Sequence, residues 1–520
     1  MKKISARQIS AALLSGCLLF AASPGFAGLA PVAWLALVPL LTAISKRTTS
    51  PRQAALFGLI SGFAYYPLLL YWITIVLGRY GNLPLWLSIP ALLLLSLYMS
   101  LYLAGFAALS CHLQKRHSLI WIAPTVWVAL DFLRGWLFTG FPWFDLAYTQ
   151  FQTPLLIQIA DITGHHGVSF MIVMINTLIF HAFRNYHKQH ASKSVSDFSF
   201  RTAILLVLII LSYSLIKFNL VEKQLAASEN LGVAVIQGNI SQEQKWLPKF
   251  QRQTLGKYLE LSSQIIEQEK PALIVWPETA LPFYLKESGL LKDITSLTAS
   301  RPGLTILTGA PHREKSGAGS TTKYFNSAFF IDGDGLRSER YDKQHLVPFG
   351  EYVPLKSILP FLAPLVETVA DFTPGTTMQP VPCQNARVGV LICFESIFPT
   401  LARQQTKAGS ELLVNLTNDA WYGRSGAPWQ HLSMAVFRAV ENRRSLARAA
   451  NTGVSGFIDP LGRMHELSPL FEDFSAYHDL PIVNIKSVFT FYGGHQVGLL
   501  CLLITTILSI LTKRTSKFDF

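Results

Sequence analysis

The chain has 520 residues, of which 50% are hydrophobic and only 14% charged, with a formal net charge of +13. That balance excludes an ordinary soluble globular protein and a disordered one, and places the apolar excess in lipid. The basic residues cluster beside apolar runs, so the positive charge reads as membrane topology and carries no nucleic-acid meaning.

Apolar runs of roughly 16 to 25 residues, the length that crosses a bilayer, predict about eight spans. They fall at Ile9 to Phe26, Leu29 to Ile44, Ala55 to Val76, Leu85 to Leu109, Leu119 to Leu137, Val168 to Phe183, Thr202 to Leu220 and Gly493 to Leu511. The start, MKK and then an apolar run holding Leu14-Ser15-Gly16-Cys17, resembles a secretory or lipoprotein signal. The run continues past Cys17 to Phe26 instead of turning polar, so an uncleaved first span is expected. Lys2, Lys3 and Arg7, then Lys46, Arg47 and Arg52, Lys115 and Arg116, Arg184, Lys188 and Lys193, and finally Lys513, Arg514 and Lys517 all fall on one side of that arrangement. The positive-inside rule makes it the cytoplasmic side and puts the polar block between the last two spans outside.

The expected organisation is a helical membrane domain over residues 1–220, an external catalytic domain over 221–490, and a last span with a short tail over 491–520. The external block is large enough for its own core. Its pattern alternates strand and helix: a strand at Val233 to Gln237, a helix at Lys249 to Lys270, and strands at Leu273 to Trp276 and Leu304 to Gly309. Tyr324 to Ile331 and Leu336 to Arg340 flank the hairpin turn Asp332-Gly333-Asp334-Gly335. Strands at Val388 to Ile392 and Leu412 to Asn415, a helix at Trp429 to Ala450 and a strand at Val454 to Ile458 complete an α/β layered domain. The apolar stretch Ile358 to Phe372 fits no period, and reads either as core packing or as a mobile arm that meets lipid. Of the five cysteines only Cys383 and Cys393 lie in the outer block, so no disulfide framework is implied, although that pair is open to bridging.

Three short segments end apolar runs with reactive groups: IVWPETALP around Glu278, RYDKQHLVPFGEYVP around Lys343 and VGVLICFES around Cys393. A thiol nucleophile needs a base for its proton and a cation for the oxyanion that forms when it attacks a carbonyl. A carboxylate, an ammonium and a thiol meet that need. Each alone has an ordinary reading, the cysteine as a small buried hydrophobe and the charged residues as solvated surface. His345 and His431 are alternative partners for the thiol, without a local third group to orient them. His165 and His166 show no metal-ligand spacing and are read as loop residues. Asp131 and Arg134, at a span end, either pair with each other or meet a lipid head group.

WPET, the lysine before HLVPFGEYVP, and ICFES with NLTNDAW after it resemble the catalytic segments of the nitrilase superfamily. That resemblance implies an αββα sandwich. With RGWLFTGFPW, QGNISQEQKW, NDAWYGRSGAPWQH and the flanking spans, nearly the whole chain resembles the apolipoprotein N-acyltransferases of bacterial inner membranes. The resemblance implies Glu278 as general base, Lys343 as oxyanion-stabilising cation and Cys393 as nucleophile, with Glu351 and Glu395 in support. Trp246, Phe394, Trp421 and His431 become candidate substrate-binding residues, and core packing is the plain alternative for Trp246. Phe394 departs from the pattern, since better-known members carry tyrosine after the cysteine.

The implied reaction moves the sn-1 acyl chain of a phospholipid through a thioester on Cys393 to the amine of a diacylglyceryl-cysteine apolipoprotein. No cofactor, metal or nucleic acid is expected. The implied location is the inner membrane with the catalytic domain on the periplasmic side, reached by lipids through a lateral portal. A membrane-tethered amidase is the rival with the same chemistry. A transporter with a ligand-binding outer domain is disfavoured, because its spans would need paired ionisable groups.

Overall fold

The computed structural model describes residues 4–46, 48–186, 194–315, 322–352 and 372–515. The stretch from Ile358 to Phe372, apart from Phe372 itself, lies outside them. The chain divides into two compact units, one comprising Met1–Thr74, Pro84–Asn219 and Tyr492–Phe520, the other Ile75–Leu83 and Leu220–Phe491.

The first unit is helical. Helical backbone underlies each predicted span, but among the described residues only Leu85–Leu113, His165–Tyr186, Phe198–Ala226 and His495–Thr512 are long and apolar enough to cross a membrane. Pro51–Leu69 and Trp72–Tyr80, bent by 46°, form a fifth candidate. The remaining runs fall short for local reasons. The second breaks into Ala30–Trp34 and Val38–Ile44, each opened by a proline in its first turn, where the missing N–H starts a helix and does not continue one. The first and fifth are helices of 17 and 16 residues, Ala6–Ala22 and Leu119–Arg134.

Within this unit Arg134 lies 3.3 Å from Asp131, pairs also with Asp145, and donates to the Tyr66 hydroxyl at 3.2 Å. His165 stands 2.7 Å from Asp145. Thus Asp131 and Arg134 do pair. His165 and His166 open the helix His165–Tyr186 and are not loop residues. Their ligand-capable atoms and that of Asp145 lie within 4.8 Å of one another, a grouping that chain spacing does not reveal because Asp145 comes from a separate segment.

The second unit is built from β1 (Glu229–Gln237), β2 (Leu273–Val275), β3 (Thr305–Lys315), β4 (Thr322–Asp332), β5 (Gly335–Asp342), β6 (Val381–Cys383), β7 (Ala386–Ile392), β8 (Leu412–Thr417), β9 (Ser445–Ala450), β10 (Gly456–Ile458), β11 (Met464–His465) and β12 (Phe474–Ile482). They form two six-stranded sheets, ordered β12-β1-β2-β3-β4-β5 and β11-β10-β9-β8-β7-β6. Val233, Val235, Leu273 and Val275 of the first sheet bury against Val388, Val390, Leu412, Val414 and Ala447 of the second. Alternate residues of the first sheet, Ala234, Ile236, Ile274 and Ile306, face Leu255, Tyr258 and Ile265 of helix Gln251–Gln268 and Ile294 of helix Leu291–Ala299. The period of two along each strand therefore feeds two hydrophobic layers at once. Helices Pro399–Lys407 and Ala427–Asn442 accompany the second sheet, completing the αββα sandwich.

One predicted element is wrong at its end. The helix expected through Ala450 stops at Asn442, where Arg443 turns left-handed at φ 52°, and Ser445–Ala450 becomes β9. Ser445 to Ala450 has helix-favouring composition, but parallel pairing with β8 along its whole length overrides it. The edge strand β12 escaped the sequence reading, since Pro481 and Asp479 interrupt its apolar pattern.

Candidate active site

β2, β5, β7 and β8 each end in a loop that carries a polar side chain inward. Glu278 follows β2, Lys343 follows β5, Cys393 follows β7 and Asp419 follows β8, and all four are buried. Loops beyond the carboxyl ends of strands are where layered α/β folds gather their reactive groups. The loop of Glu278 packs directly on β3 at Gly309: a Cβ there would meet the Thr279 nitrogen at 2.4 Å and the Glu278 Cα at 2.8 Å. Only glycine permits that approach.

The Lys343 ammonium lies 2.9 Å from Glu351 and 3.4 Å from Glu278. Asn326 on β4 donates its side-chain amide to the same two carboxylates, at 2.8 Å to Glu278 and 2.9 Å to Glu351. Glu351 also accepts the Val347 N–H at 2.8 Å, which folds the loop after Lys343 back on itself. These acceptors hold the ammonium charged, and Glu351 followed by Glu278 raises Lys343 above the usual lysine range against the opposing effect of burial.

Cys393 occupies a sharp turn with φ 51° at the end of β7. Its residue surface is 7% exposed. Burial first, and then the Glu278 carboxylate, push the thiol above its ordinary range, while Lys343 and the Thr417 hydroxyl pull it down. The resting sulfur is therefore protonated, with a carboxylate and an ammonium close enough to act on its charge.

Glu395 is fully enclosed and accepts four donors: the N–H groups of Ile392 at 2.7 Å, Gln344 at 2.7 Å and His345 at 3.1 Å, and the Tyr341 hydroxyl at 2.9 Å. It ties the turn of Cys393 to the loop of Lys343. Burial raises its carboxyl to about 7 despite those N–H donors.

His431 is closed to solvent. Its Nε2 faces the Cys393 carbonyl at 3.1 Å and the Ser396 hydroxyl at 2.8 Å, and its Nδ1 faces Asp419 at 3.0 Å. The ring therefore holds the backbone of the cysteine turn. His345 packs at a tilt against Phe398 with ring centroids 3.9 Å apart, and burial followed by the Lys343 charge lowers it to about 4.

The other expected binding residues divide by exposure. Trp246 is 49% exposed and Phe394 only 6%. Phe394 packs on Phe398, centroids 5.2 Å apart. Trp421 is half-buried, edge-on to Tyr80 at 5.2 Å. The Tyr80 hydroxyl donates to the Ala420 carbonyl at 2.9 Å and Arg79 pairs with Glu243 at 2.8 Å, so Ile75–Leu83 belongs structurally with the loops around the cysteine. Cys383 and Cys393 are both free thiols.

Sequence reasoning missed Asn326, Tyr341 and Lys245. Asn326 sits mid-strand without a motif of its own, and Tyr341, the next-to-last residue of β5, stands inside the quoted RYDKQHLVPFGEYVP without being singled out. Lys245 stands inside the quoted QGNISQEQKW without being singled out there, and it is 1% exposed.

Residues 15–178 match the model of an apolipoprotein N-acyltransferase N-terminal domain, and residues 232–488 that of a carbon-nitrogen hydrolase. A protein of Geobacter metallireducens named apolipoprotein N-acyltransferase is 42% identical over 94% of this chain and 92% of its own. One of the same name from Methylococcus capsulatus is 33% identical over 85% of each. The solved carbon-nitrogen hydrolase of Helicobacter pylori G27 is 16% identical, covering 49% of this chain and 90% of its own at a TM-score of 0.36. A likeness that distant adds nothing to the others.

Proposed function

Because the chain belongs to the apolipoprotein N-acyltransferase family, we propose that Cys393 carries an acyl group as a thioester from a phospholipid to the amine of a lipoprotein. Lipoprotein N-acylation is the reaction of this membrane enzyme. The assignment of its steps to residues rests on one observation: Glu278, Lys343 and Cys393, 65 and 115 residues along the chain from the first, meet in one buried site.

In the first half-reaction the Cys393 sulfur attacks the sn-1 ester carbon and passes its proton to Glu278. The carbonyl oxygen becomes an oxyanion, and Lys343 stabilises it. Collapse breaks the ester C–O bond, Glu278 returns the proton to the departing alkoxide, and lysophospholipid leaves. In the second half the α-amine of the diacylglyceryl-cysteine attacks the thioester carbon, Glu278 accepts its proton, and the C–S bond breaks. The proton ends on sulfur and the product is an amide. A general base of this kind contributes about 10²–10⁴-fold. Glu351 and Asn326 fix the orientation of Lys343 and Glu278, and Glu395 keeps the two catalytic loops in register.

Both substrates bring acyl chains, and each CH₂ left in water costs about 0.8 kcal/mol. Trp246, Leu247 and Phe349, exposed on loops adjoining Lys245 and Lys343, give such chains an apolar rim. The finer placement, about eight spans with the catalytic domain on the periplasmic side of the inner membrane, follows from the basic clusters between apolar runs. The 1–220, 221–490 and 491–520 division is part of the same reading.

The test is intact-mass analysis after incubation with a labelled phospholipid. An acyl adduct on the parent chain, absent from Cys393→Ala and discharged by an amine acceptor, supports transfer. Discharge by water at the same rate supports an amidase. An adduct that persists in Cys393→Ala moves the nucleophile elsewhere.

A further inference from the structure

Lys245 ends the four-residue helix Gln242–Lys245 beyond β1, with its residue surface 1% exposed. Its Nζ donates to the main-chain carbonyl of Glu278 at 3.1 Å. An ammonium has three donors to satisfy, and burying it without a counter-ion is expensive. No carboxylate among the described residues forms an ion pair with it, whereas Lys343 divides its charge between Glu351 and Glu278.

The charge balance of the site gives that placement a purpose. Glu278 and Glu351 bring two negative charges, and Lys343 supplies one positive charge. Lys245 offsets that excess, while Asp419 has its own partner in Arg448. Without Lys245, the sulfur and then the oxyanion would develop negative charge inside a buried site that already held a net negative charge, where such an interaction is poorly screened.

We propose that Lys245 is a positioning and charge-balancing residue for acyl transfer, which anchors the Glu278 main chain and supplies the uncompensated positive charge against which the Cys393 sulfur ionises. The inference rests on Cys393 being the nucleophile. The titratable groups that face Lys245 are Glu278, from the loop after β2, and Cys393, from the turn after β7. Lys343 and Asp419 act on the same sulfur from the loops after β5 and β8. Burial lowers Lys245 from 10.5 to about 8, with Glu278 and then Cys393 opposing that fall. Its charge therefore disappears just above neutrality, which makes its contribution visible in a pH profile.

The experiment is alkylation of the full chain in detergent with iodoacetamide, followed by intact mass from about pH 6 to about pH 10, with parent, Lys245→Met, Lys245→Arg and Cys393→Ala compared. At neutral pH Lys245→Met is expected to label Cys393 about tenfold more slowly, the equivalent of about one pH unit. The gap should close at alkaline pH, where the parent lysine is itself neutral. Lys245→Arg should recover most of the neutral rate and lose the inflection, because a guanidinium does not titrate there. Profiles of parent and Lys245→Met that superimpose, or that differ by one constant factor at every pH, would overturn the proposal. If Lys245→Met does not fold, the loss or survival of the parent's inflection in Lys245→Arg decides alone. Labelling of Cys393→Ala equal to the parent's would instead remove the nucleophile assignment, leaving the two failures distinct.

Discussion

Cys393 and His431 meet through a backbone atom: imidazole Nε2 lies 3.1 Å from the cysteine's carbonyl oxygen. That oxygen can only accept, so Nε2 carries the proton. The Ser396 hydroxyl donates to the same oxygen at 3.0 Å. Together they hold a cysteine at φ 51°, a left-handed conformation that costs a non-glycine residue about 1–2 kcal/mol. Arg448, paired with Asp419 at 2.8 Å, donates to Nδ1 at 3.0 Å and fixes the far side of the ring.

His431→Ala is therefore expected to slow acylation of Cys393 and to cost about 1–3 kcal/mol, the penalty of leaving buried partners unpaired. Chemical denaturation and the burst of thioester formation measure the two effects. Burial and the Arg448 charge lower the imidazole below its ordinary 6.5. The folded state then binds fewer protons than the unfolded chain below that value, so stability drops as pH falls through and below about 6.5. This acid-side slope should be shallower in His431→Ala; an unchanged slope would assign it to other groups.

Replacing the base tests the proton path. Glu278→Gln keeps a group able to accept from Asn326 but cannot take the thiol proton, and is expected to lower the acylation rate by about 10²–10⁴-fold. Single-turnover thioester formation is the measurement. A rate within a few-fold of the parent would mean that another group accepts the proton.

Glu395→Gln probes the clamp between loops. All four neighbours of this carboxylate donate to it, so an amide must turn its NH₂ toward at least one donor. Facing the Ile392 N–H at 2.7 Å, it would lose a charge-assisted bond of about 1.5–3 kcal/mol. Both a lower unfolding midpoint and slower acylation are expected. Retained stability with lost acylation would show that the charge, and not the clamp, is what the site uses.

Lys245→Met should separate stability from activity. With the folded lysine at about 8 and its unfolded value at 10.5, burying the charge costs about 3 kcal/mol below pH 8. That penalty is relieved as pH rises from about 8 to about 10.5, the direction for a lysine lowered by folding. The substitution removes it and leaves the Glu278 carbonyl unpaired at about 1–3 kcal/mol. A variant at least as stable as the parent at neutral pH, yet slower to acylate, is expected by urea denaturation and single-turnover assay. A strongly destabilised variant would mark Lys245 as structural.

The site was legible where chemistry is written into contiguous residues. Glu278, Lys343 and Cys393 each stand at the end of an apolar run with proline, glycine or serine nearby, and those strands appear within a few residues of their expected bounds. What stayed hidden depends on pairing. Asn326 matters because β4 lies beside β5 and the loop of Lys343, and Tyr341 because its hydroxyl reaches Glu395 beyond β7; neither pairing is written in the local sequence. Lys245 was invisible because nothing local reveals that a lysine beside Trp246 turns inward. β9 was misread because its sequence favours a helix and only its neighbours β8 and β10 make it a strand. The membrane runs were easier to find than to count: hydropathy registers apolar length, but the prolines at Pro31 and Pro39 break one run into pieces.

The near-complete burial of Cys393 bears on the fate of the acyl group proposed for it. A thioester in bulk solvent drains slowly to free fatty acid, and an enzyme that loads before its acceptor arrives would waste donor in proportion to the waiting time. On the proposed mechanism a carrier atom sheltered this deeply would be charged early and idle with little leakage, so throughput would be set by how often acceptors arrive and not by how well loading and unloading are synchronised.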